Sequence, residues 1–235
     1  MGKTIDKEFA DPRVSQESLV SFYKAIREAE RIVISRQPDL LIGPLRGAEP
    51  IIKSIGIIAS LECHKLPTVL YIGTGCIDSL FEGQQRLNPK PLSDEQKLDL
   101  VKESLSPYVI QRNEKFRLCL IDEVNGGGSI VKNYDYINGA LRIFYPKTDF
   151  NLEAIAICNP QEKCGRFKQL MRMRKITPLY VADLFTVDRT RYLTPLVRKG
   201  HNVEQKGKYP KDLKSELYNE LARLHTVSIY EAQKP

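Results

Sequence analysis

The sequence predicts an α/β fold: an open, mostly parallel, twisted sheet with helices on both faces. Three observations predict it. Short runs at 40–42, 68–72, 116–121 and 152–157 are largely apolar on both faces, as strands covered on both sides are. Between them lie segments whose apolar residues recur at three- and four-residue spacing, the period of a helix. The resulting order, one βαβ unit followed by another, is the order of parallel sheets.

Each element has its own warrant. Residues 1–14 read as a tail. A helix is predicted over 16–33, where Leu19, Phe22, Tyr23, Ile26, Ala29 and Ile32 make one apolar face, and Pro38 ends the region. The first strand, 40–42, is bounded by Pro38 and by Gly43-Pro44. Leu45-Arg46-Gly47-Ala48-Glu49-Pro50 leads into a helix over about 50–61, with Pro50 suited to its first turn. The second strand, 68–72, ends in Gly73-Thr74-Gly75.

Residues 76–115 are polar and irregular apart from a helix near 93–105, where Ser93 and Gln96 fit a capping box. A stretch this long is either a functional lid or a surface insertion. The third strand, 116–121, runs into Asp122-Glu123-Val124-Asn125-Gly126-Gly127-Gly128-Ser129 and then a helix to about residue 144. A fourth strand spans 152–157. A fifth starts at 179–182, with a continuation toward 187. A last helix carries the stripe Leu213, Leu217, Leu221 and Leu224. The predicted organisation is a tail and helix over 1–34, an α/β domain over 35–190 with its insertion at 76–115, and a basic C-terminal extension over 191–235.

Composition narrows the function classes. With 42% hydrophobic and 28% charged residues in 235, the chain is globular in composition and long enough for a real core. No window reaches 18 apolar residues, so no membrane span is expected, and the first residues lack the apolar centre of a secretory leader. Five cysteines, an odd number at no metal-like spacing, lead us to expect a reducing, cytoplasmic setting. His64 beside Cys63, and Cys158 with Cys164, give no four-ligand set, so zinc is not expected. Cys76 has no partner histidine in sequence. The absence of tryptophan argues against a stacking-based sugar or cap binder.

The net charge of +7 is concentrated in residues 151–235, which hold 16 Lys+Arg against 9 Asp+Glu, while residues 1–150 are balanced. Basic charge favours phosphorylated metabolites, nucleic acid or an acidic protein surface. Within segment 163–175, Lys163, Arg166, Lys168, Arg172, Arg174 and Lys175 surround Met171 and Met173. That cluster suits a nucleic-acid backbone or a partner protein, or is simply a solvated helix face.

The strongest chemical signal is residues 118–129. A buried strand delivers Asp122 and Glu123 to its C-terminal edge, and a glycine loop and a helix start follow. Ligands of open α/β sheets sit at that edge. Glycines allow backbone N–H groups close to a phosphate, and a helix N-terminus favours the anion. The acids suit sugar hydroxyls, or a metal ion by way of water. A Walker B reading needs a Walker A loop, and Gly2-Lys3-Thr4 has neither a preceding strand nor an upstream glycine. A dinucleotide site at Gly73-Thr74-Gly75 lacks its third glycine. A purely structural strand-to-helix turn stays open as an alternative.

The same segment resembles the phosphoribosyl-pyrophosphate motif of the type I phosphoribosyltransferases: hydrophobic residues, two acids, a short variable stretch and a Thr/Gly-rich turn. The resemblance implies that Asp122 and Glu123 contact the ribose 2′ and 3′ hydroxyls, and that Gly126, Gly127, Gly128 and Ser129 wrap the 5′-phosphate. The loop is one residue shorter than the commonest form, and glycine replaces its central threonines. Asn125 stands nearest the place where purine-acting members carry an assisting acid, and an amide cannot act as a base.

Residues 41–48, Leu41-Ile42-Gly43-Pro44-Leu45-Arg46-Gly47-Ala48, are similar to the family's pyrophosphate loop. Arg46 would be the charged contact, with Gly47 and Ala48 offering N–H groups; a solvated arginine is the alternative. Residues 179–188 look like the segment that shapes the base pocket, with Phe185 either stacking on a base or buried in the core. The resemblance covers about residues 30–190.

The activity so implied is transfer of ribose 5-phosphate from phosphoribosyl pyrophosphate, with Mg²⁺, to an acceptor, most often a nucleobase, with release of pyrophosphate. Mg²⁺ would be held indirectly by Asp122 and Glu123, through ribose hydroxyls or water. A lid that excludes water is expected, with Arg86 or Lys90 supplying its charge or simply solvated. Homodimers are common in the family. The other reading is a catalytically silent module of the same fold. It would sense a ligand or nucleotide and act on nucleic acid or a partner protein, with a bacterial defence or toxin component as a specialised form.

Overall fold

The structure, a computed structural model, describes residues 16–44, 48–73, 92–109, 115–124, 128–158, 166–181, 185–187, 190–192 and 212–232. In chain order these form α1 (Gln16–Arg36), β1 (Leu40–Pro44), α2 (Glu49–Leu61), β2 (Thr68–Ile72), α3 (Asp94–Val109), β3 (Phe116–Val124), α4 (Gly128–Phe144), β4 (Phe150–Cys158), α5 (Arg166–Met173), β5 (Ile176–Tyr180), β6 (Phe185–Val187), β7 (Thr190–Tyr192) and α6 (Asp212–Ala232).

Five strands make one open sheet in the order β2-β1-β3-β4-β5, every pair parallel. The central strand, β3, feeds two cores, because successive side chains of a strand point to opposite faces. Cys119 and Ile121 join the core made with α1, α2 and α6. Phe116, Leu118, Leu120 and Val124 join the core made with α3, α4 and α5. Helices therefore cover both faces, as the apolar runs required. Among the described residues no helix is long and apolar enough to cross a membrane.

Several elements differ from the sequence reading, most of them by a residue or two at their ends. β3 continues three residues past Ile121, because β4 pairs with it as far as Val124 opposite Cys158. The two acids at its C-terminal edge thus lie within the paired strand.

The helical half of the 76–115 stretch is core: Val101 and Leu105 of α3 are fully buried, and α3 packs on α4 and β2. Its capping box forms as expected, with Ser93 N–H donating to Gln96 Oε1 at 2.9 Å and Gln96 N–H to Ser93 Oγ at 3.2 Å.

β5 begins at Ile176, three residues before the predicted start. Pro178 lies inside it, which an edge strand tolerates because one side of its backbone has no neighbour. Residues 185–187 do not continue β5; they form β6, which pairs antiparallel with β7 as a separate two-stranded sheet.

Candidate functional site

The strand order places one particular crevice. β1 is flanked by β2 on one side and β3 on the other, so the chain winds in opposite directions from β1. Outside the carboxyl ends of the two strands at such a reversal is where ligands of open α/β sheets bind. Leu40, Leu41 and Ile42 lie opposite Leu118, Cys119 and Leu120. The register therefore carries Gly43-Pro44 alongside Ile121-Asp122. The two segments singled out from sequence, 41–48 and 118–129, leave the sheet side by side at this point.

Asp122 and Glu123 are both buried, at 2% and 7% exposure. Strand alternation sends them to opposite faces: Asp122 shares the side of Leu120 and Val124, Glu123 that of Cys119 and Ile121. The Asp122 carboxylate accepts the backbone N–H of Glu123 on Oδ1 at 2.9 Å and the Ser129 hydroxyl on Oδ2 at 3.2 Å.

Ser129 stands in the first turn of α4, which Gly128 opens. Asn133, one turn further and buried, donates from Nδ2 toward Ser129 Oγ at 3.4 Å. The sequence reading missed Asn133. Its signal was the four-residue spacing from Ser129, which puts both on one helix face. Beneath the edge, Ile42, Pro44, Ile72, Leu120, Asn133 and Ile137 surround a gap with no room for water.

On the β1 side, Ala48 is buried and caps α2 with its backbone alone; Pro50 stands in the first turn as predicted. A Cβ at Gly43 would lie 2.8 Å from Ala48 Cβ and 2.7 Å from Ile52 Cδ1, so glycine is what lets the start of α2 approach β1. Near that start, Glu49 and Tyr71 act on Tyr218 of α6. Burial first, then the charge on Glu49, then Tyr71 push the Tyr218 phenol up to about 12.

Arg46, Gly47, Asn125, Gly126, Gly127, Arg86, Lys90 and Lys163 lie outside the described residues. Phe185 falls in β6, at the edge of what is described. Of the basic cluster, Arg174 makes two 2.8 Å hydrogen bonds to the Asp135 carboxylate of α4. Lys175 donates to Asn151 Oδ1 at 2.9 Å. Both therefore tie β5 to its neighbours. Met171 is core, whereas Met173 is 72% exposed.

No family model matches the sequence, and no curated protein matches it. Among solved structures, the chain is similar to a hypoxanthine-guanine phosphoribosyl transferase from L. donovani. Identity is 13%, coverage is 74% of this chain and 85% of that one, and the TM-score is 0.37. It is also similar to a purine phosphoribosyltransferase from Pyrococcus horikoshii Ot3, at 12% identity over 71% of this chain and 91% of that one, with a TM-score of 0.34.

Proposed function

We propose that this chain binds phosphoribosyl pyrophosphate at the β1–β3 crevice and transfers its ribose 5-phosphate to an acceptor, a nucleobase by preference, releasing pyrophosphate. The observation that carries the reading is the juxtaposition of two segments at the reversal of strand order. One is the acid pair whose Asp122 is bonded to Ser129 at the start of α4. The other is the loop from β1 to α2.

In this reading the first turn of α4, with Gly126, Gly127, Gly128 and Ser129, takes the 5′-phosphate on backbone N–H groups, where the helix dipole adds to the attraction. Asp122 and Glu123 accept from the ribose hydroxyls. Arg46 and Gly47 hold the pyrophosphate; Ala48, offered for the same role from sequence, is buried and donates its N–H to Pro44 O at 3.2 Å instead, and Phe185 is the candidate base contact.

Asp122 and Glu123 offer oxygen donors alone, the kind a hard cation takes; leaving β3 on opposite sides, they would hold Mg²⁺ indirectly, through ribose hydroxyls or water. Mg²⁺, when bound there, would supply positive charge against the leaving pyrophosphate. The ribose C1–O bond breaks with its electron pair leaving on pyrophosphate. The acceptor nitrogen's lone pair then forms the new bond to C1, and its proton passes to solvent, since Asn125 cannot take it. The chain's own contribution is to position the partners and stabilise charge. Residues 35–190 are read as the working unit, and a homodimer in a cytoplasmic setting as its state.

The test is thermal unfolding with phosphoribosyl pyrophosphate, with and without Mg²⁺, on the wild type and on Asp122→Asn with Glu123→Gln. A ligand at about 100 times its Kd adds about 2.7 kcal/mol to stability. A Mg²⁺-dependent rise in Tm that the double variant lacks supports the site. Pyrophosphate release with a panel of nucleobases then supports transfer. Binding without release favours the silent sensing module. No shift at millimolar ligand defeats the reading.

A further inference from the structure

A second polar cluster lies at the opposite edge of the sheet. Glu62 and His64 sit in the turn from α2 to β2, so they belong to the end where the strands begin. The turn is held by three backbone bonds: Glu62 N–H to Ile58 O, Cys63 N–H to Ser60 O and His64 N–H to Ala59 O. Glu30 comes from α1 and His225 from α6. Glu30 Oε1 is 2.8 Å from His64 Nδ1, His64 Nδ1 is 3.8 Å from Glu62 Oε2, and Glu62 Oε1 is 3.3 Å from His225 Nε2. Ligand atoms of Glu30, Glu62 and His64 all fall within 4.8 Å of one another.

Two features go beyond clustering. His225 is fully buried, and its Nε2 faces Glu62 without the alignment of a hydrogen bond; Glu30 is also fully buried, and its Oε2 has no hydrogen-bond partner. Buried groups of this kind are costly unless something satisfies them. The far ring nitrogen of His225 is already engaged: Nδ1 lies 3.1 Å from the Tyr23 hydroxyl. Behind Glu62, then, His225 is held by Tyr23 and packs α6 against this cluster.

We propose that Glu30, Glu62 and His64 form a zinc site that fastens α1 to the α2–β2 turn, with a water as fourth ligand and His225 of α6 behind Glu62. One imidazole with two carboxylates suits Zn²⁺, whereas Mg²⁺ prefers oxygen donors alone. A tetrahedral ion with bonds of about 2.0–2.1 Å needs its ligand atoms about 3.3 Å apart. The Glu30–His64 and His64–Glu62 separations, 2.8 and 3.8 Å, bracket that value. Binding replaces the Glu30–His64 hydrogen bond and releases its proton.

Arg27, whose Nη1 donates to Ser228 at 2.9 Å, brings one positive charge nearby, and the two carboxylates outnumber it. His64 is 39% exposed on its side chain and opens the site to solvent, while the fully buried Glu30 lines its inner side. The cysteine and histidine neighbours in sequence gave no four-ligand set; the fold brings three ligands together from two separate segments. This inference is independent of the phosphoribosyl reading and uses none of its residues.

The test is zinc titration of the chelator-treated full chain, followed by calorimetry and metal analysis, with Co²⁺ absorption reporting tetrahedral geometry. The expected result is one Zn²⁺ per chain, with Tm rising about 5–10 °C at a hundredfold excess over Kd. His64→Ala, an exposed position that the fold tolerates, should weaken binding about 100-fold or more. Glu30→Gln should weaken it too, and Cys63→Ser should not. Absence of stoichiometric zinc at micromolar concentrations overturns the site. So does unchanged binding in His64→Ala, or loss of binding in Cys63→Ser.

Discussion

The Ser129 hydroxyl donates to Asp122 Oδ2 at 3.2 Å, joining the last residues of the central strand to the first turn of the helix that follows. The bond fixes where a buried carboxylate stands relative to a helix N-terminus, which is the relationship any sugar-phosphate ligand at this edge would need. Ser129→Ala should cost about 1 kcal/mol in urea unfolding by removing that donor. Ser129→Thr, which keeps the hydroxyl, should cost less. Equal midpoints for Ser129→Ala and the wild type would show that the bond contributes nothing.

Gly43→Ala should destabilise by about 1–3 kcal/mol, the usual cost of overpacking a filled site. Ile52 Cδ1 ends a flexible side chain and can turn aside, but Ala48 Cβ cannot, so the start of α2 has to move off β1. Chemical denaturation measures the cost. Ala48→Gly in the same chain should return part of it.

The alkaline limit of stability should be set partly by Tyr218. Its folded pKa is raised to about 12, chiefly by burial. An unfolded tyrosine ionises near its ordinary value of about 10. The stability that the neutral phenol contributes is therefore complete below about pH 10 and is lost as pH rises toward 12. Tyr71 shifts the same way, by burial first and Glu49 second. Tyr218→Phe should move the alkaline unfolding midpoint upward, read by circular dichroism alongside tyrosinate absorbance.

Thiol chemistry should separate Cys63 from Cys119. Cys63 is exposed, whereas burial pushes the Cys119 thiol up to about 12 in the middle of β3. The thiolate is the reactive form. At pH 8 a maleimide should modify Cys63 in the native protein and reach Cys119 only on unfolding. Peptide mapping distinguishes the two, and rapid native labelling of Cys119 would contradict a packed β3.

The sheet was legible because its strands are buried on both faces and so read as plain apolar runs. β2 was placed to the residue. The errors have physical causes. Two carboxylates at 122 and 123 read as the end of β3, yet pairing with β4 carries the strand through them. Pro178 hid the start of β5, because only the sheet order reveals that β5 is an edge.

At the crevice, Asp122, Glu123 and Ser129 were legible because they are close in sequence. Asn133 was not, since a buried amide on a helix looks like any solvated one. The cluster at the other edge was the least legible. Its members are brought together by packing: Glu30 is 34 residues from His64, and Tyr23 is 202 residues from His225. Its one local trace is Tyr23, Arg27 and Glu30, which share a face of α1 beside the apolar stripe.

That last separation bears on how the chain is made. Leu217 and Leu221 of α6 complete the core that Leu19, Phe22 and Ile26 of α1 begin. A ribosome adds residues at about 5–20 per second, so roughly ten seconds or more pass between synthesis of the first and the last of these side chains. Throughout that interval the part of the α1 face that α6 covers has no final partner, although α2 and the sheet already pack against the rest. This core closes only after residue 221 has emerged from the ribosome, so its final folding comes late in synthesis or after it. A nascent chain stalled before α6 would present that uncovered face to chaperones.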